Sequence, residues 1–342
     1  MIIARSSLSL VALALALSSV IAPSSVDAQR RRRRREPPPP PPVELAIDAM
    51  PASDGPPQPF HRVLSLRATA PVELVADRRL LRLELRSEGS RRVTHCEHPD
   101  RARRVDPDRV RELAAGERWE EWIDLREYCW GRALDALRTG AEVTVHYGPR
   151  RARRGQYVAR VPGEPAIEHR TIGPIALAFE PVPEAEDPDP AAPVRVTLSD
   201  RDTRSASGVS FRVAVLAREG RTRAYVRSDR FRFRVHGPGG TTECSMTPGG
   251  GPAAPDLYQR LTPRSGARFS LDASFYCDGD AFRSQGVYEV VPSVDLEQDG
   301  ARWGFEAPTG TFVGAPALVR IRRGEGYVEH PIGEPPPPED AL

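Results

Sequence analysis

The chain has 342 residues and a formal net charge of +2, and it contains no lysine and no asparagine, so all 49 basic residues are arginine. The two missing residues use A-rich codons, which indicates a GC-rich bacterial genome and makes arginine content a weak sign of phosphate binding. The run Arg30–Arg35 carries +6 by itself, which leaves the remainder of the chain at −4. That balance excludes the basic face of a nucleic-acid-binding domain.

The first 28 residues have the pattern of a secretory signal peptide. Arg5 precedes the apolar stretch Leu8–Leu17, and small residues stand at Val26 and Ala28. This order of a charged start, an apolar centre and an A-x-A-like end is typical of export signals. We expect the mature chain to begin near Gln29 and to act in the periplasm, in the cell envelope or outside the cell.

Residues 29–42 combine six arginines with six prolines and predict a disordered or extended stalk. Like charges keep the arginines solvated. Two interpretations stay open, a plain tether and a weak electrostatic contact with an anionic membrane or envelope glycolipid. The candidate contacts are Arg30, Arg31, Arg32, Arg33, Arg34 and Arg35.

The body of the chain contains an internal repeat. Residues 83–134 match residues 231–282 at a constant offset of 148, with shared cysteine, tyrosine, aspartate and glycine positions and no gap. Two long copies indicate tandem domains rather than a solenoid. We expect domain 1 at 43–180, a Pro-rich acidic linker at 181–193, domain 2 at 194–329 and a disordered Pro-rich tail at 330–342.

Each repeat predicts an all-β domain. Apolar and polar residues alternate in Arg79–Arg86 and, more strictly, in Asp229–Val235. Asp299-Gly300 predicts the turn of a hairpin, and residues 142–161 are expected to form its counterpart with a longer Arg-rich loop. One short helix is expected per domain, in domain 1 from Pro107 to Gly116. Seven or eight short strands per unit predict two tandem immunoglobulin-like β-sandwiches.

The four cysteines predict one disulfide within each domain. Cys96 and Cys129 are separated by 33 residues, and so are Cys244 and Cys277. Because an exported protein meets oxidising conditions, the repeated spacing favours the pairs Cys96–Cys129 and Cys244–Cys277 over the other two connectivities.

Asp124 and Tyr128 recur as Asp272 and Tyr276. Their recurrence beside the cysteines favours a folding role, in which the tyrosine packs on the disulfide and its hydroxyl bonds the backbone.

Two short motifs are weak candidates for metal binding. His95, Glu97 and His98 flank Cys96, but domain 2 does not repeat the histidines, so we interpret them as surface histidines on a loop. Asp278 and Asp280 resemble a fragment of a calcium loop that lacks the full ligand spacing, which favours a polar turn. We therefore expect no metal and no cofactor.

Domain 1 carries the candidate interaction surface. Trp119 and Trp122 stand close together, and a predicted hairpin tip collects Arg150, Arg151, Arg153 and Arg154. Exposed aromatic residues and arginine are enriched at protein interfaces. The interpretation that we favour is that the tryptophans belong to the core and the tip is a solvated loop, and the interaction surface stays open as the alternative.

No catalytic motif stands out, since the chain has no GxSxG, HExxH, Walker or GxGxxG pattern. The leading hypothesis is therefore a secreted or envelope-associated binding, adhesion or structural protein without enzymatic activity. Its expected partner is an envelope polymer or another exported protein. An inhibitor or chaperone-like module for a secreted protein is the alternative, and an envelope-polymer hydrolase is the third possibility.

Overall fold

A computed structural model describes residues 40–50, 59–100, 105–151, 156–163, 168–183, 185, 188–251 and 253–323. The predicted signal peptide, nearly all of the stalk and the predicted tail lie outside these residues. The first half of the molecule is residues 43–177, and the second half is residues 192–323.

The strands of the first half are β1 (Val43–Ala49), β2 (His61–Ala68), β3 (Val72–Val75), β4 (Leu81–Arg86), β5 (Val93–Glu97), β6 (Val110–Leu113), β7 (Arg118–Asp124), β8 (Glu142–Tyr147), β9 (Ala159–Arg160), β10 (Glu168–His169) and β11 (Ile172–Leu177). Its helices are α1 (Leu125–Tyr128) and α2 (Arg132–Arg138).

The strands of the second half are β12 (Val194–Leu198), β13 (Arg201–Thr203), β14 (Ser210–Ala217), β15 (Thr222–Ala224), β16 (Phe231–Gly237), β17 (Gly240–Ser245), β18 (Gln259–Leu261), β19 (Ala267–Asp272), β20 (Gly286–Leu296), β21 (Gly310–Val313) and β22 (Ala317–Ile321).

The expectation of an all-β chain is confirmed, and the residue alternation explains it. On β16, Phe231, Phe233 and Val235 are buried, whereas Arg232 and Arg234 are exposed. A strand places successive side chains on opposite faces, so this sequence gives one apolar face to the core and one arginine face to water.

The two halves share a three-stranded sheet and a larger sheet, but β13 of the second half joins the larger sheet through a parallel pair with β22. The first half has the sheets β1-β2-β7, β11-β8-β4-β5 and β10-β9-β3-β6. The second half has β12-β14-β19, a larger sheet in which β13, β22, β20, β16 and β17 follow one another with β21 also on β20, and the two-stranded ribbon β15-β18. Each half therefore packs a three-stranded sheet and a larger sheet around apolar side chains.

The strand registers correct the ungapped repeat. Leu83 pairs with Cys96 on β5, and Phe233 pairs with Cys244 on β17. The cysteines are 148 residues apart, but their partners are 150 apart, so the second half is two residues shorter between these strands. The hairpin tip absorbs the difference because Gly237 pairs directly with Gly240.

The expectation of one short helix per domain is wrong. Pro107–Arg109 forms only a single 3-10 turn, with the Asp106 carboxylate accepting from the Asp108 N–H, and β6 follows at once. The first half instead has two short α-helices after β7. Described residues of the second half have only 3-10 turns at the equivalent places, including Ala273–Phe275.

The predicted hairpins are also corrected. Asp299 and Gly300 do form a turn, but a 3-10 turn at Ala301–Trp303 follows it, and the returning strand on β20 is β21. In the first half, β9 pairs with β3 and β10 rather than with β8. Two-residue hairpins need continuous strands on both sides, and here both connections leave the sheet.

The described residues from Pro41 onward belong to one compact unit. Val287 and Leu318 of the second half are buried in the apolar cluster of the first half. Arg320 pairs with Asp202 at 2.8 Å, donates to the Glu127 backbone oxygen at 3.1 Å and lies 4.8 Å from the centre of the Trp130 ring. The two halves thus share a packed boundary.

The predicted linker is attached at both ends. The Val182 N–H donates to the Arg138 oxygen at 2.9 Å, and Ala192 is buried in the second core. Of the helices in the described ranges, none is both long and apolar enough to cross a membrane.

Candidate functional site

Both predicted disulfides are present, as Cys96–Cys129 and Cys244–Cys277, with Cα–Cα distances of 4.8 and 4.4 Å. The hydroxyl of Tyr128 donates to the Arg78 oxygen at 3.0 Å, and that of Tyr276 donates to the Ser228 oxygen at 2.7 Å. Each disulfide therefore lies beside a tyrosine that ties two segments of its half together.

The paired aspartates act as caps. The Asp124 carboxylate accepts from the Arg126 N–H at 2.9 Å, and the Asp272 carboxylate accepts from the Ser274 N–H at 3.0 Å. Burial alone would raise the pKa of Asp124, but Arg126 and His61 outweigh it and hold that pKa well below its usual range. These contacts match the expected folding role.

The tryptophans predicted as a surface do not form one face. Trp119 packs against the first core, with its ring 6.4 Å from that of Tyr147, and Trp122 lies half-buried on the opposite face of β7. A separation of three residues along a strand places side chains on opposite sides. Arg150 and Arg151 are exposed, whereas Arg153, Arg154 and Arg30–Arg35 lie outside the described residues.

His95 and His98 are not surface histidines on a loop, which corrects that expectation. His95 lies on β5, with its Nδ1 3.6 Å from the Glu84 carboxylate. His98 is only 1% exposed and contacts Gln285 of the second half at 3.1 Å and Glu127 at 3.7 Å. The sequence could not indicate this burial because its cause is packing between the two halves.

His95 belongs to a cluster of polar side chains with Glu84, His146 and Arg82. His146 on β8 approaches the same Glu84 oxygen at 3.6 Å, and Arg82 donates to it at 2.9 Å. Burial and Arg82 lower the pKa of His146. Within the described ranges, no group of three or more His, Cys, Asp or Glu side chains could hold a metal ion. Asp278 and Asp280 are exposed, and Asp280 pairs only loosely with Arg283 at 3.4 Å.

The most distinctive surface lies on the β15-β18 ribbon of the second half. Tyr225 and Tyr258 stand side by side with ring centres 5.7 Å apart, and the Phe305 ring meets Tyr258 edge-on at 4.9 Å. Arg223 lies 5.0 Å from the centre of the Phe305 ring. Ala224 and Leu261 fill the core on the other side of the ribbon, whereas Arg223 is exposed and Tyr225 is half-buried; Tyr258 is only 8% exposed beneath the half-buried Phe305.

A tryptophan extends this face. Trp303 is 43% exposed, yet its indole N–H donates to the Ala253 oxygen at 3.1 Å and Arg302 lies over its ring at 4.8 Å. Leu257 nearby is 47% exposed. We call the whole set the ribbon surface: Arg223, Tyr225, Leu257, Tyr258, Arg260, Arg302, Trp303 and Phe305.

A shallow cleft borders the ribbon surface beside Tyr225. Arg227 pairs with Asp229 at 2.7 Å, and Arg230 pairs with Glu297. Burial by itself would raise the pKa of Asp229, but hydrogen bonds from the Gly249 N–H and from Arg227 outweigh that effect, so the pKa lies below its usual value. The cleft is lined by Tyr225, Arg227, Arg230, Gly251, Asp295, Glu297 and Gln298.

Sequence reasoning misses the ribbon surface because a hairpin at Asp299-Gly300 predicts a strand over residues 301–306. Gly300 and Gly304 enclose Ala301–Trp303 and both have positive φ, +75° and +73°. Two glycines in that conformation interrupt a strand and turn the chain outward. The pair of glycines around Arg302-Trp303 is the signal that could have found the site.

No protein-family model matches this chain, and no curated protein matches it significantly. Function is therefore argued from the site alone.

Proposed function

We propose that this chain is an exported bacterial binding, adhesion or structural protein without enzymatic activity, built from two tandem immunoglobulin-like sandwiches. The order β1-β2-β7 facing β11-β8-β4-β5 supports the immunoglobulin-like assignment, since that fold pairs a smaller and a larger antiparallel sheet. The two disulfides support an oxidising compartment.

The observation that carries the binding role is the ribbon surface. Exposed arginines of the two-stranded ribbon lie near the aromatic side chains that follow β20, and aromatic residues and arginine dominate interface energetics. Trp303 and Leu257 are large apolar groups exposed next to Arg302. The arrangement suits an envelope polymer, whose sugar rings stack on aromatic faces, or another exported protein. The run Arg30–Arg35 would add a weak, salt-sensitive contact with an anionic surface.

The test is retention of the exported protein on isolated envelope material. We expect Trp303→Ala combined with Arg302→Ala to lower the retained fraction at least about fivefold, because 1 kcal/mol corresponds to roughly that factor. Phe275→Ala is the matched control, since Phe275 is 71% exposed and lies in the 3-10 turn after β19. Equal retention of both variants and the original chain would overturn the assignment of this surface.

The inhibitor or chaperone-like alternative is favoured by one observation, the short two-stranded ribbon itself. Exposed strands bind extended segments of other proteins by adding a strand. An envelope-polymer hydrolase would instead need a polar cluster such as His95, Glu84 and His146. Release of soluble fragments that Glu84→Gln abolishes, with envelope retention unchanged, would favour the enzyme.

A further inference from the structure

The outer edge of β3 in the first half is occupied by β9. The Val75 N–H donates to the Val158 oxygen at 2.9 Å, and Glu73 stands opposite Arg160 in the register. These two side chains form an ion pair at 2.7 Å. The Tyr157 hydroxyl also donates to the Glu73 carboxylate, so the first half protects this edge with a short strand of its own that two side chains hold to Glu73.

The equivalent edge in the second half belongs to β15. Thr222 pairs with Leu261 as Val72 pairs with Leu113, so Arg223 stands where Glu73 stands and Tyr225 stands where Val75 stands. In the described residues, the ribbon has two strands only, and no backbone group bonds to the outer edge of β15. An open edge is a template for another strand.

The positive charges at this edge favour a bound strand that carries an acidic side chain. Arg223 stands directly opposite Arg260 across the ribbon. Like charges in that position are destabilising, and in the described part of the chain neither arginine has an acidic side chain within ion-pair distance. An incoming strand with a carboxylate next to Arg223 would remove the repulsion.

The chain contains a second copy of the β9 segment, beyond its last described residue. Residues 157–165 read YVARVPGEP and residues 327–335 read YVEHPIGEP, so five of nine positions are identical. The first of these segments supplies β9 and covers β3. The second carries Glu329 beside the shared Tyr-Val pair and is the natural candidate for β15.

Side-chain alternation fixes the register of this pairing. A direct copy of the β9 register would aim Glu329 at the core side of the ribbon. A shift of one residue reverses the faces and puts Val328 opposite Ala224, which is fully buried. Glu329 then faces Arg223, and Tyr327 faces Tyr225. The resulting pair of Glu329 with Arg223 is the charge-reversed form of Arg160 with Glu73.

The length of the chain decides which copy supplies the strand. Ile321 pairs with Gly286 at one end of β20, whereas Tyr225 lines the cleft beside Asp295, near its other end. The nine residue-to-residue steps from Gly286 to Asp295 span about 30 Å. The four residues from Arg323 to Tyr327 reach at most about 14 Å. The tail of a chain therefore cannot reach its own β15.

We propose that Tyr327–Glu329 of one copy adds a strand to β15 of a second copy, with Glu329 paired to Arg223. The inference rests on the proposed function in that it names a partner for the ribbon surface. Because each copy offers one tail and one edge, the contact is head-to-tail and builds an open chain of copies. Strand addition supplies backbone hydrogen bonds, and the alternating side chains supply specificity.

The experiment measures self-association of the full exported chain by sedimentation velocity over rising protein concentration. We expect assemblies whose size grows with concentration, at least a tenfold weaker association for Arg223→Glu and for Glu329→Arg, and recovery in the double variant Arg223→Glu/Glu329→Arg. Arg212→Glu, an exposed change on neighbouring β14, serves as the matched control and should assemble normally.

A second measurement keeps the test independent of assembly size. A labelled peptide of residues 324–342 should bind a chain ending at Arg323 and should not bind its Arg223→Glu form. A full chain that stays monomeric at every concentration, or a peptide that binds both forms equally, would overturn the proposal. The retention experiment with the Trp303 variant does not depend on self-association. It can therefore support or overturn the proposed function whatever the outcome of this test.

Discussion

The two halves of this molecule share a disulfide framework but treat the same ribbon edge differently. In the first half, β9 lies on β3 and Arg160 neutralises Glu73. In the second half, the connection after β20 turns outward and presents Trp303 and Phe305, and β15 keeps an edge without a third strand in the described residues. The difference shows that one framework can cover this edge in one half and, among the described residues, leave it uncovered in the other.

The shared framework should be equally important in both halves. We expect paired alanine substitutions that remove either disulfide, Cys96–Cys129 or Cys244–Cys277, to lower the free energy of unfolding by about 3–4 kcal/mol. The two effects should be equal because both bonds close loops of the same length. Urea unfolding of the two variants measures this. A loss confined to one half would break the equivalence and show that local packing, rather than loop closure, governs the other bond.

The boundary between the halves should have a smaller effect. Arg320→Ala removes a buried guanidinium from Asp202, Glu127 and Trp130, and we expect a loss of about 2 kcal/mol, below the usual buried-pair range because Arg322 still pairs with Asp202. Arg322→Ala is the control, since that side chain is nearly half exposed and should cost under about 1 kcal/mol.

Unfolding of the Arg320→Ala chain should also separate into two transitions, visible as different midpoints for tryptophan fluorescence and far-UV circular dichroism. A single transition, with the stability of the original chain, would mean that the halves are coupled elsewhere along their boundary.

The smallest expected difference between the halves is in the stability contribution of the two equivalent aspartates, Asp124 and Asp272. Asp124→Asn should cost about 1–2 kcal/mol at neutral pH, because it removes the ion pair with Arg126, and Asp272→Asn should cost under about 1 kcal/mol, because the asparagine oxygen can still cap the Ser274 N–H. A carboxylate with a lowered pKa stabilises the fold above its unfolded pKa and loses that contribution as pH falls. The gap between the original and Asp124→Asn chains should therefore begin to narrow below about pH 4 and close as the pH falls through the lowered pKa of the folded chain. A gap that stays unchanged as the pH falls below about 4 would contradict this account.

Part of the site could be expected from the sequence and part could not. Strand alternation, the cysteine pairs and the tyrosine and aspartate roles follow from local patterns that recur in both halves. Closeness in sequence groups Trp119 with Trp122, yet β7 sends them to opposite faces. Nothing local groups Tyr258 with Phe305, although their rings meet in space, because the two residues are 47 positions apart in the sequence.

What the sequence determined by itself is the repeated β framework and its disulfides, because periodicity, turn residues and cysteine spacing act over short distances or recur in register. What only the tertiary structure decided is which polar groups are buried between the halves, as with His98 and Arg320, and which edge is covered. Those outcomes depend on how distant strands approach one another. Two strands at equivalent places in the fold can therefore differ, with a covered edge at β3 and, among the described residues, an uncovered edge at β15.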